Sequence, residues 1–166
     1  GIFCYESCPR ILNCDIVGES VDGHGAGMLV MRCSPDIVSC RFLNGTAQGH
    51  GGAIYILEGA SPQIENCLFD GNRASWGGAI TCTIDCDPIL TGCSFVGNEA
   101  FNVGGVLYIR SRSDPLIRDC SFTGNIQSGN VSAGGAAITI YGSGNLGGPC
   151  LPIVDGCILE DNVCDG

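Results

Sequence analysis

The chain carries little charge and no lysine. Charged residues make up 14% of its 166 residues, and with seven basic and 17 acidic side chains the formal net charge is −10. All seven basic residues are arginine. An acidic surface argues against nucleic-acid binding, which requires a basic face. Because hydrophobic residues still make up 45% of the chain, the composition also argues against disorder.

Long uninterrupted segments are missing as well. No apolar run approaches the roughly 20 residues that a membrane-spanning helix needs, so no membrane span is expected. The 27 glycines recur every few residues, which leaves no room for a long helix. They show no three-residue period, so a collagen helix is excluded.

What the chain has instead is one motif, repeated. Prolines recur at Pro9, Pro35, Pro62, Pro88, Pro115 and Pro152. Five residues after each proline lies a cysteine, which gives the column Cys14, Cys40, Cys67, Cys93, Cys120 and Cys157. Ten residues after four of the prolines lies an asparagine, which gives the column Asn72, Asn98, Asn125 and Asn162. Six registers at one spacing indicate a repeat architecture.

The repeat length decides the fold class. Each unit holds short β-type segments separated by Gly, Asn or Pro, which is typical of an all-β parallel β-helix, or β-solenoid. We expect one domain over residues 1–166, with five to six coils of 26–27 residues that start near the six prolines. Insertions near residues 126–133 and 142–150 account for the longer last step.

Strand alternation predicts which side chains face the core. Ile54 and Ile56 are expected to point inward, and Leu29 and Met31 are expected to be the equivalent pair in the preceding coil. The outward column is predicted as Val30, Tyr55, Thr81, Tyr108 and Thr139. The cysteine column is expected to fill the core as a ladder of thiols, and the asparagine column is expected to stack by amide hydrogen bonds.

The residues resemble a known family. Phe69-x-x-Asn72, Phe95-x-x-Asn98 and Phe122-x-x-Asn125, alternating with Gly-Gly-Ala-Ile, are similar to the repeats of chlamydial polymorphic outer-membrane proteins. They also resemble the wider group of right-handed parallel β-helix repeats of secreted surface proteins. The resemblance implies a right-handed coil and a surface-exposed, adhesin-like rod.

Charged residues share registers in adjacent coils. The predicted ion pairs are Asp15 with Arg41, Arg73 with Glu99, Asp85 with Arg112, and Arg118 with Asp155. Strand spacing places such partners about 4.8 Å apart, so the pairs are expected to stabilise the coil register. An arginine-based substrate clamp is the alternative interpretation.

Two further pairs of residues are candidates for a functional site. Asp87 and Asp114 are stacked carboxylates that we expect to cap their own Asp-Pro turns, with calcium binding or acid–base work on a polysaccharide as alternatives. His24 and His50 are expected to form a surface ladder, with a transition-metal site as the alternative. The leading interpretation therefore includes no metal and no cofactor.

The remaining cysteines predict disulfides near the turns. Cys8 with Cys33 and Cys82 with Cys86 are the pairings that the spacing suggests, and abundant cysteine favours an oxidising, extracellular setting. Sequons at Asn44 and Asn130 are candidate glycosylation sites. Trp76 and Phe101, together with Tyr55 and Tyr108, would provide a sugar-stacking face as an alternative to scattered aromatics.

The leading functional hypothesis is a non-catalytic, extracellular or cell-surface β-solenoid with a structural or adhesive role. Open coil ends invite further stacking, so the partners expected are flanking repeats of a longer chain or a second copy stacked end to end in a fibre. The alternative is a polysaccharide lyase or glycosidase on the same fold.

Overall fold

Six coils of four short strands form the molecule. The computed structural model describes residues 1–129, 134–142 and 148–165. Its 24 strands lie in four six-stranded sheets, so each coil contributes one strand to every sheet. All strand pairings are parallel, and the described residues contain no helix. The predicted all-β parallel β-solenoid is therefore confirmed.

Sheets A and B follow one another within each coil. Sheet A contains β1 (Ile2–Tyr5), β5 (Met28–Met31), β9 (Ile54–Leu57), β13 (Ile80–Thr83), β17 (Leu107–Arg110) and β21 (Ile138–Tyr141). Sheet B contains β2 (Arg10–Leu12), β6 (Asp36–Val38), β10 (Gln63–Glu65), β14 (Ile89–Thr91), β18 (Leu116–Arg118) and β22 (Ile153–Asp155).

Sheets C and D complete the coil. Sheet C contains β3 (Asp15–Val17), β7 (Arg41–Leu43), β11 (Leu68–Asp70), β15 (Ser94–Val96), β19 (Ser121–Thr123) and β23 (Ile158–Glu160). Sheet D contains β4 (Ser20–Val21), β8 (Thr46–His50), β12 (Arg73–Trp76), β16 (Glu99–Ala100), β20 (Ile126–Gln127) and β24 (Val163–Cys164).

The corner between sheets B and C needs only two residues. Its first residue always has a left-handed backbone, with φ between 51° and 62° at Asn13, Ser39, Asn66, Gly92, Asp119 and Gly156. Gly, Asn and Asp adopt this conformation at low cost, which explains their recurrence at the position. The second residue is the cysteine of the repeated column, whose side chain turns into the core.

The corner between sheets C and D follows the same rule. A left-handed residue comes first, at Gly18, Asn44, Gly71, Gly97, Gly124 and Asp161. The next residue is an asparagine in the last four coils. Because this side chain points inward at the bend, it bonds to the backbone of the preceding coil and to the asparagine side chain of the following one.

Stacked aromatic rings fill the core behind sheet C. Phe42, Phe69, Phe95 and Phe122 lie one above another, with ring centroids 5.1, 4.7 and 4.6 Å apart and planes within 8° of parallel. Each is buried, as are the sheet B residues Ile37, Ile64, Leu90 and Ile117. Burial of this apolar column is the main source of stability, at roughly 25 cal/mol per Å² of surface removed from water.

One expected inward pair is wrong. Met28 and Val30 are fully buried, whereas Leu29 and Met31 lie on the outer face of sheet A. Leu29 pairs with Tyr55, so it takes the place predicted for Val30 in the outward column. The cause is a glycine corner that departs from Gly-Gly-Ala. Here Gly27 stands at the alanine position, where a Cβ would lie 2.9 Å from the ring of Phe42.

The expected insertions fall partly outside the described residues. Residues 130–133 and 143–147 lie outside the described ranges, and so does the sequon asparagine Asn130. On either side of these two segments the strands keep their register, since Leu107 pairs with Ile138 and Leu116 with Ile153.

Candidate functional site

The outer face of sheet A carries a column of tyrosine and threonine side chains. Tyr55, Thr81 and Tyr108 pair in successive strands and point away from the core, as the alternation predicts. They are not exposed, however. Tyr55 is 9% exposed and Tyr108 only 4%, so a second layer of side chains must cover this face.

That layer comes from the end of sheet D. His50 and Trp76 pair in adjacent strands, directly before the glycine corners that lead into sheet A. At this corner Gly51 has φ of 65°, and a Cβ on Gly52 would lie 2.2 Å from the carbonyl oxygen of Gly78. Only glycine fits so tight a reversal. The reversal folds sheet D back so that the His50 ring lies over Tyr55.

His50 is the centre of this aromatic layer. Its ring lies 4.8 Å from Trp76 and 5.1 Å from Tyr55, both in stacked geometry, and 5.2 Å from His24. Nδ1 of His50 is buried and has no hydrogen-bond partner among the described residues. Burial, with smaller contributions from the nearby His24 and Arg110, lowers the pKa of His50 to about 4. His50 is therefore neutral at pH 7.

The two histidines do not have the geometry of a metal centre. Nδ1 of His24 accepts the backbone amide of His50 at 3.0 Å, so only its Nε2 remains for a ligand. The next side chain in the column is Trp76, which cannot bind a metal. In the described part of the chain, no group of three His, Cys, Asp or Glu side chains could hold a metal ion.

The proposed sugar-stacking face needs correction. Tyr55 and Tyr108 are buried beneath the histidine layer, and Trp76 is partly covered by His50. Of the four aromatic residues considered, only Phe101 is well exposed, at 40%. Because a stacking platform requires accessible ring faces, these four residues do not form one.

Asp87 and Asp114 belong to a ladder of hydrogen-bond acceptors. In the position before each of these prolines, the side chain accepts a hydrogen bond from the backbone amide of the equivalent residue in the following coil. Ser61 accepts from Asp87 at 3.2 Å, Asp87 accepts from Asp114 at 2.8 Å, and Asp114 accepts from Leu151. The ladder begins with Cys8, whose sulfur accepts from Ser34. The expectation that each aspartate caps its own turn is wrong, because each caps the turn of the next coil.

The predicted inter-coil ion pairs are confirmed. Nε of Arg41 donates to Asp15 at 2.7 Å, and this hydrogen bond lowers the pKa of the Asp15 carboxyl. The other three predicted pairs are Arg73 with Glu99 at 2.8 Å, Arg112 with Asp85 at 2.6 Å, and Arg118 with Asp155 at 3.3 Å. Two further arginines, not predicted to pair, also meet acids: Arg10 meets Asp36 at 3.3 Å, and Arg32 meets Glu58 at 2.8 Å and Glu6 at 3.7 Å.

The column of cysteines lies at the corner between sheets B and C. Its four middle members are at most 2% exposed: Cys40, Cys67, Cys93 and Cys120. The thiol of Cys67 donates to the carbonyl of Glu65 at 3.3 Å, and its sulfur accepts the amide of Cys40 at 3.4 Å. In the first and last coils, Cys14 is exposed and Cys157 partly exposed.

The four disulfide candidates are free thiols in this structure. Cys33 donates to the carbonyl of Cys4 at 3.4 Å, whereas Cys8 accepts the amide of Ser34. Cys86 donates to the carbonyl of Thr83 at 3.1 Å, and burial raises its pKa to about 11. The structure thus contains neither of the two expected bonds, and the sulfurs of Cys8, Cys33 and Cys86 are hydrogen-bonded to backbone groups.

The four column asparagines meet by side-chain hydrogen bonds. Nδ2 of Asn72 donates to Oδ1 of Asn98, and the same contact joins Asn98 to Asn125 and Asn125 to Asn162, at 2.9, 3.1 and 2.8 Å. The other sequon asparagine, Asn44, lies at an exposed corner of the second coil. Its side chain is accessible from solvent.

Comparison with known protein families matches the whole chain. Residues 1–166 match the family described as "Right handed beta helix region". The chain therefore belongs to this family, and the right-handed parallel β-helix that the resemblance implied is confirmed. Comparison with curated proteins found no match, and comparison with solved structures found none. No helix among the described residues is long and apolar enough to cross a membrane.

Proposed function

We propose that the chain is a non-catalytic structural or adhesive rod that works outside the cell or on its surface. The proposal rests on the contacts of the acidic, arginine and asparagine side chains, which bond between coils. Asp87 and Asp114 accept amides of the next coil, six arginines pair with acids, and the column asparagines bond to one another. Groups that a hydrolase would use for chemistry hold adjacent coils together here.

The rod is proposed to continue into further coils. In the last described coil, Val154 and Leu159 stand in register with Ile117 and Phe122, yet they are 44% and 51% exposed. Covering these side chains needs another coil of the same shape, which flanking repeats or a second copy would supply. Analytical ultracentrifugation across a concentration series distinguishes the two sources, because only a second copy produces concentration-dependent growth.

The extracellular location rests on two features. The first is the resemblance to repeats of secreted surface proteins, and the second is the sequon at the exposed residue Asn44. Protease treatment of intact source cells tests the location, since a surface rod is cleaved or released while internal proteins stay intact. Glycosylation is tested by intact mass before and after enzymatic removal of N-linked glycans, with Asn44→Gln as the control.

The competing function is cleavage of an acidic polysaccharide, for which the stacked carboxylates of Asp87 and Asp114 are the basis. The chain is incubated with acidic polysaccharides and calcium, and both new reducing ends and unsaturated products are measured. We expect no turnover. The double variant Asp87→Asn, Asp114→Asn keeps an acceptor oxygen at both positions and removes the carboxylates.

Turnover that is lost in this double variant would overturn the non-catalytic proposal. Asp70→Asn is the matched control, because Asp70 is an exposed acid on sheet C outside the ladder. If turnover appeared but survived the double variant, another catalytic group would have to exist, and the non-catalytic proposal would fail in that case too.

A further inference from the structure

Arg110 differs from the other arginines of the chain. Six of the seven arginines have a carboxylate of a neighbouring coil within ion-pair distance. Arg110 has no such partner among residues 1–129, 134–142 and 148–165. Its Nε donates to the hydroxyl of Ser111 at 3.3 Å. In a chain of net charge −10, an arginine without an acid beside it is unexpected.

The register of sheet A explains why no acid lies beside it. Arg110 ends β17, where its neighbours in the adjacent strands are Thr83 and Tyr141. The next residue along the same column is Leu57. All of these are uncharged, whereas the other arginines lie in columns that place an acid one coil away. The coil register that places an acid beside each of the other six arginines thus places none beside Arg110.

The surroundings of Arg110 are aromatic and neutral. Its charge lies near the phenols of Tyr55 and Tyr108 and near the His50 imidazole, as its effect on their pKa values records. Burial raises the pKa of both phenols, so both keep their hydroxyl protons at pH 7. The guanidinium is also hydrogen-bonded to the Tyr108 side chain, and an anion would complete its remaining N–H groups on the solvent side.

Solvent reaches this point of the sheet. Arg110 is partly exposed, and Tyr141, one strand further along, is 48% exposed. An open tyrosine ring beside a guanidinium offers a flat apolar surface and a fork of donors on the same face. That combination fits a sugar ring that carries a carboxylate or sulfate group.

We propose that Arg110 and Tyr141 form a binding site for an acidic saccharide on the outer face of sheet A. Arg110 holds the carboxylate or sulfate through paired N–H donors, and Tyr141 packs against the sugar ring. This inference rests on the adhesive function proposed above, and it names the class of ligand that the rod would bind.

Titration of the protein with small saccharides, followed by the tyrosine ring signals in NMR spectra, tests the site. The probes are methyl glucuronide, glucose 6-sulfate, neutral methyl glucoside and inorganic sulfate. We expect both acidic sugars to shift the signals with millimolar affinity. Arg110→Gln should weaken this binding by about tenfold or more, because a charge-assisted bidentate contact is lost.

Two further variants separate binding from folding. Arg110→Lys keeps the charge without the fork and should bind with intermediate affinity. Arg41→Gln is the matched control, since it removes an arginine of sheet C that pairs with Asp15, and it should bind like the wild type. Circular dichroism verifies that each variant is folded.

Several results would overturn the site. These are no shift with either acidic sugar at about 50 mM, equal binding by Arg110→Gln, equal binding of the neutral glucoside, or binding of inorganic sulfate only. Failure of the site leaves the non-catalytic rod in place as a structural element. Cleavage of the acidic probes would instead overturn the non-catalytic proposal and leave the site standing.

Discussion

The side chain of Asn72 is hydrogen-bonded to that of Asn98 in the adjacent coil, with Nδ2 of Asn72 at 2.9 Å from Oδ1 of Asn98. The same oxygen accepts the backbone amide of Asn72 at 2.9 Å. Nδ2 of Asn98 donates to the carbonyl of Phe69 and to Oδ1 of Asn125, at 2.9 and 3.1 Å. Asn98 is fully buried, and its amide uses both oxygen lone pairs and both hydrogens.

Asn98→Ala should therefore be strongly destabilising. It leaves buried donors and acceptors of three neighbours without a partner, and we expect the free energy of unfolding to fall by about 3–5 kcal/mol. Urea unfolding followed by circular dichroism measures the change. Asn162→Ala is the control and should cost about 1 kcal/mol, because water can replace the bonds of this partly exposed end of the ladder. Equal losses at the two positions would contradict the ladder.

Asn98→Asp separates hydrogen bonding from packing. The shape is kept, but a carboxylate cannot donate to the Phe69 carbonyl or to Asn125. Burial and these two acceptors should raise the pKa of the new carboxyl in the folded state. The variant should therefore be less stable than wild type at pH 7, and the deficit should shrink as the pH falls toward 4. A deficit that is independent of pH would show that the introduced carboxyl is not buried.

The ring stack behind sheet C predicts a second large effect. Phe95 lies between Phe69 and Phe122, with ring centroids 4.7 and 4.6 Å away. Phe95→Ala should lower the free energy of unfolding by about 3–5 kcal/mol and Phe95→Leu by about 1–2 kcal/mol. Val96→Ala, at a 40% exposed position of the same strand, should change it by at most about 0.5 kcal/mol. Similar losses for Val96→Ala and Phe95→Ala would contradict a core built on these rings.

The repeat spacing was sufficient to predict the solenoid, because each corner needs particular residues. Left-handed positions select Gly, Asn and Asp, and the inward position that follows selects Cys or Asn, so the corners are visible in the sequence. The same spacing predicts which arginines and acids meet. The pairs of Arg10 with Asp36 and of Arg32 with Glu58 obey the same spacing.

Burial on the outer face of sheet A was not predictable from alternation. Period-2 alternation says which side of a strand a side chain leaves, but not what covers that side. Tyr55 and Tyr108 are buried because a glycine corner folds the His50 ring back over them. That contact joins residues of two sheets. The inward pair of the second coil was mispredicted for a related reason, since its corner reads Gly-Ala-Gly rather than Gly-Gly-Ala.

The thiol column predicts a pattern of chemical reactivity. Thiols react as thiolates and must be reached by reagent. We expect the exposed Cys8, Cys14 and Cys164 to be alkylated rapidly in the native protein under reducing conditions. The four buried members of the column should react only after denaturation: Cys40, Cys67, Cys93 and Cys120. Peptide mass mapping after short iodoacetamide exposure measures this, and rapid native labelling of Cys93 would contradict a closed core.

The buried histidine predicts how stability depends on pH. Burial and the neighbouring charges lower the pKa of His50 from 6.5 to about 4 in the folded protein. As the pH falls below 6.5 the unfolded chain takes up a proton that the folded protein does not, so stability is lost between pH 6.5 and about 4. Because the ring is only partly buried, we expect this loss to be about 1–2 kcal/mol rather than the full value of the shift.

His50→Phe isolates this effect from the titration of the carboxyls. Phenylalanine keeps an aromatic ring between Tyr55 and Trp76 but binds no proton. The difference in unfolding free energy between wild type and His50→Phe should therefore change by about 1–2 kcal/mol from pH 7 to pH 4, with the wild type losing more. His24→Gln should retain most of the wild-type dependence, since His50 stays covered by the same rings. Parallel pH profiles for wild type and His50→Phe would contradict this prediction, because they would show that the pKa of His50 is the same in the folded and unfolded states.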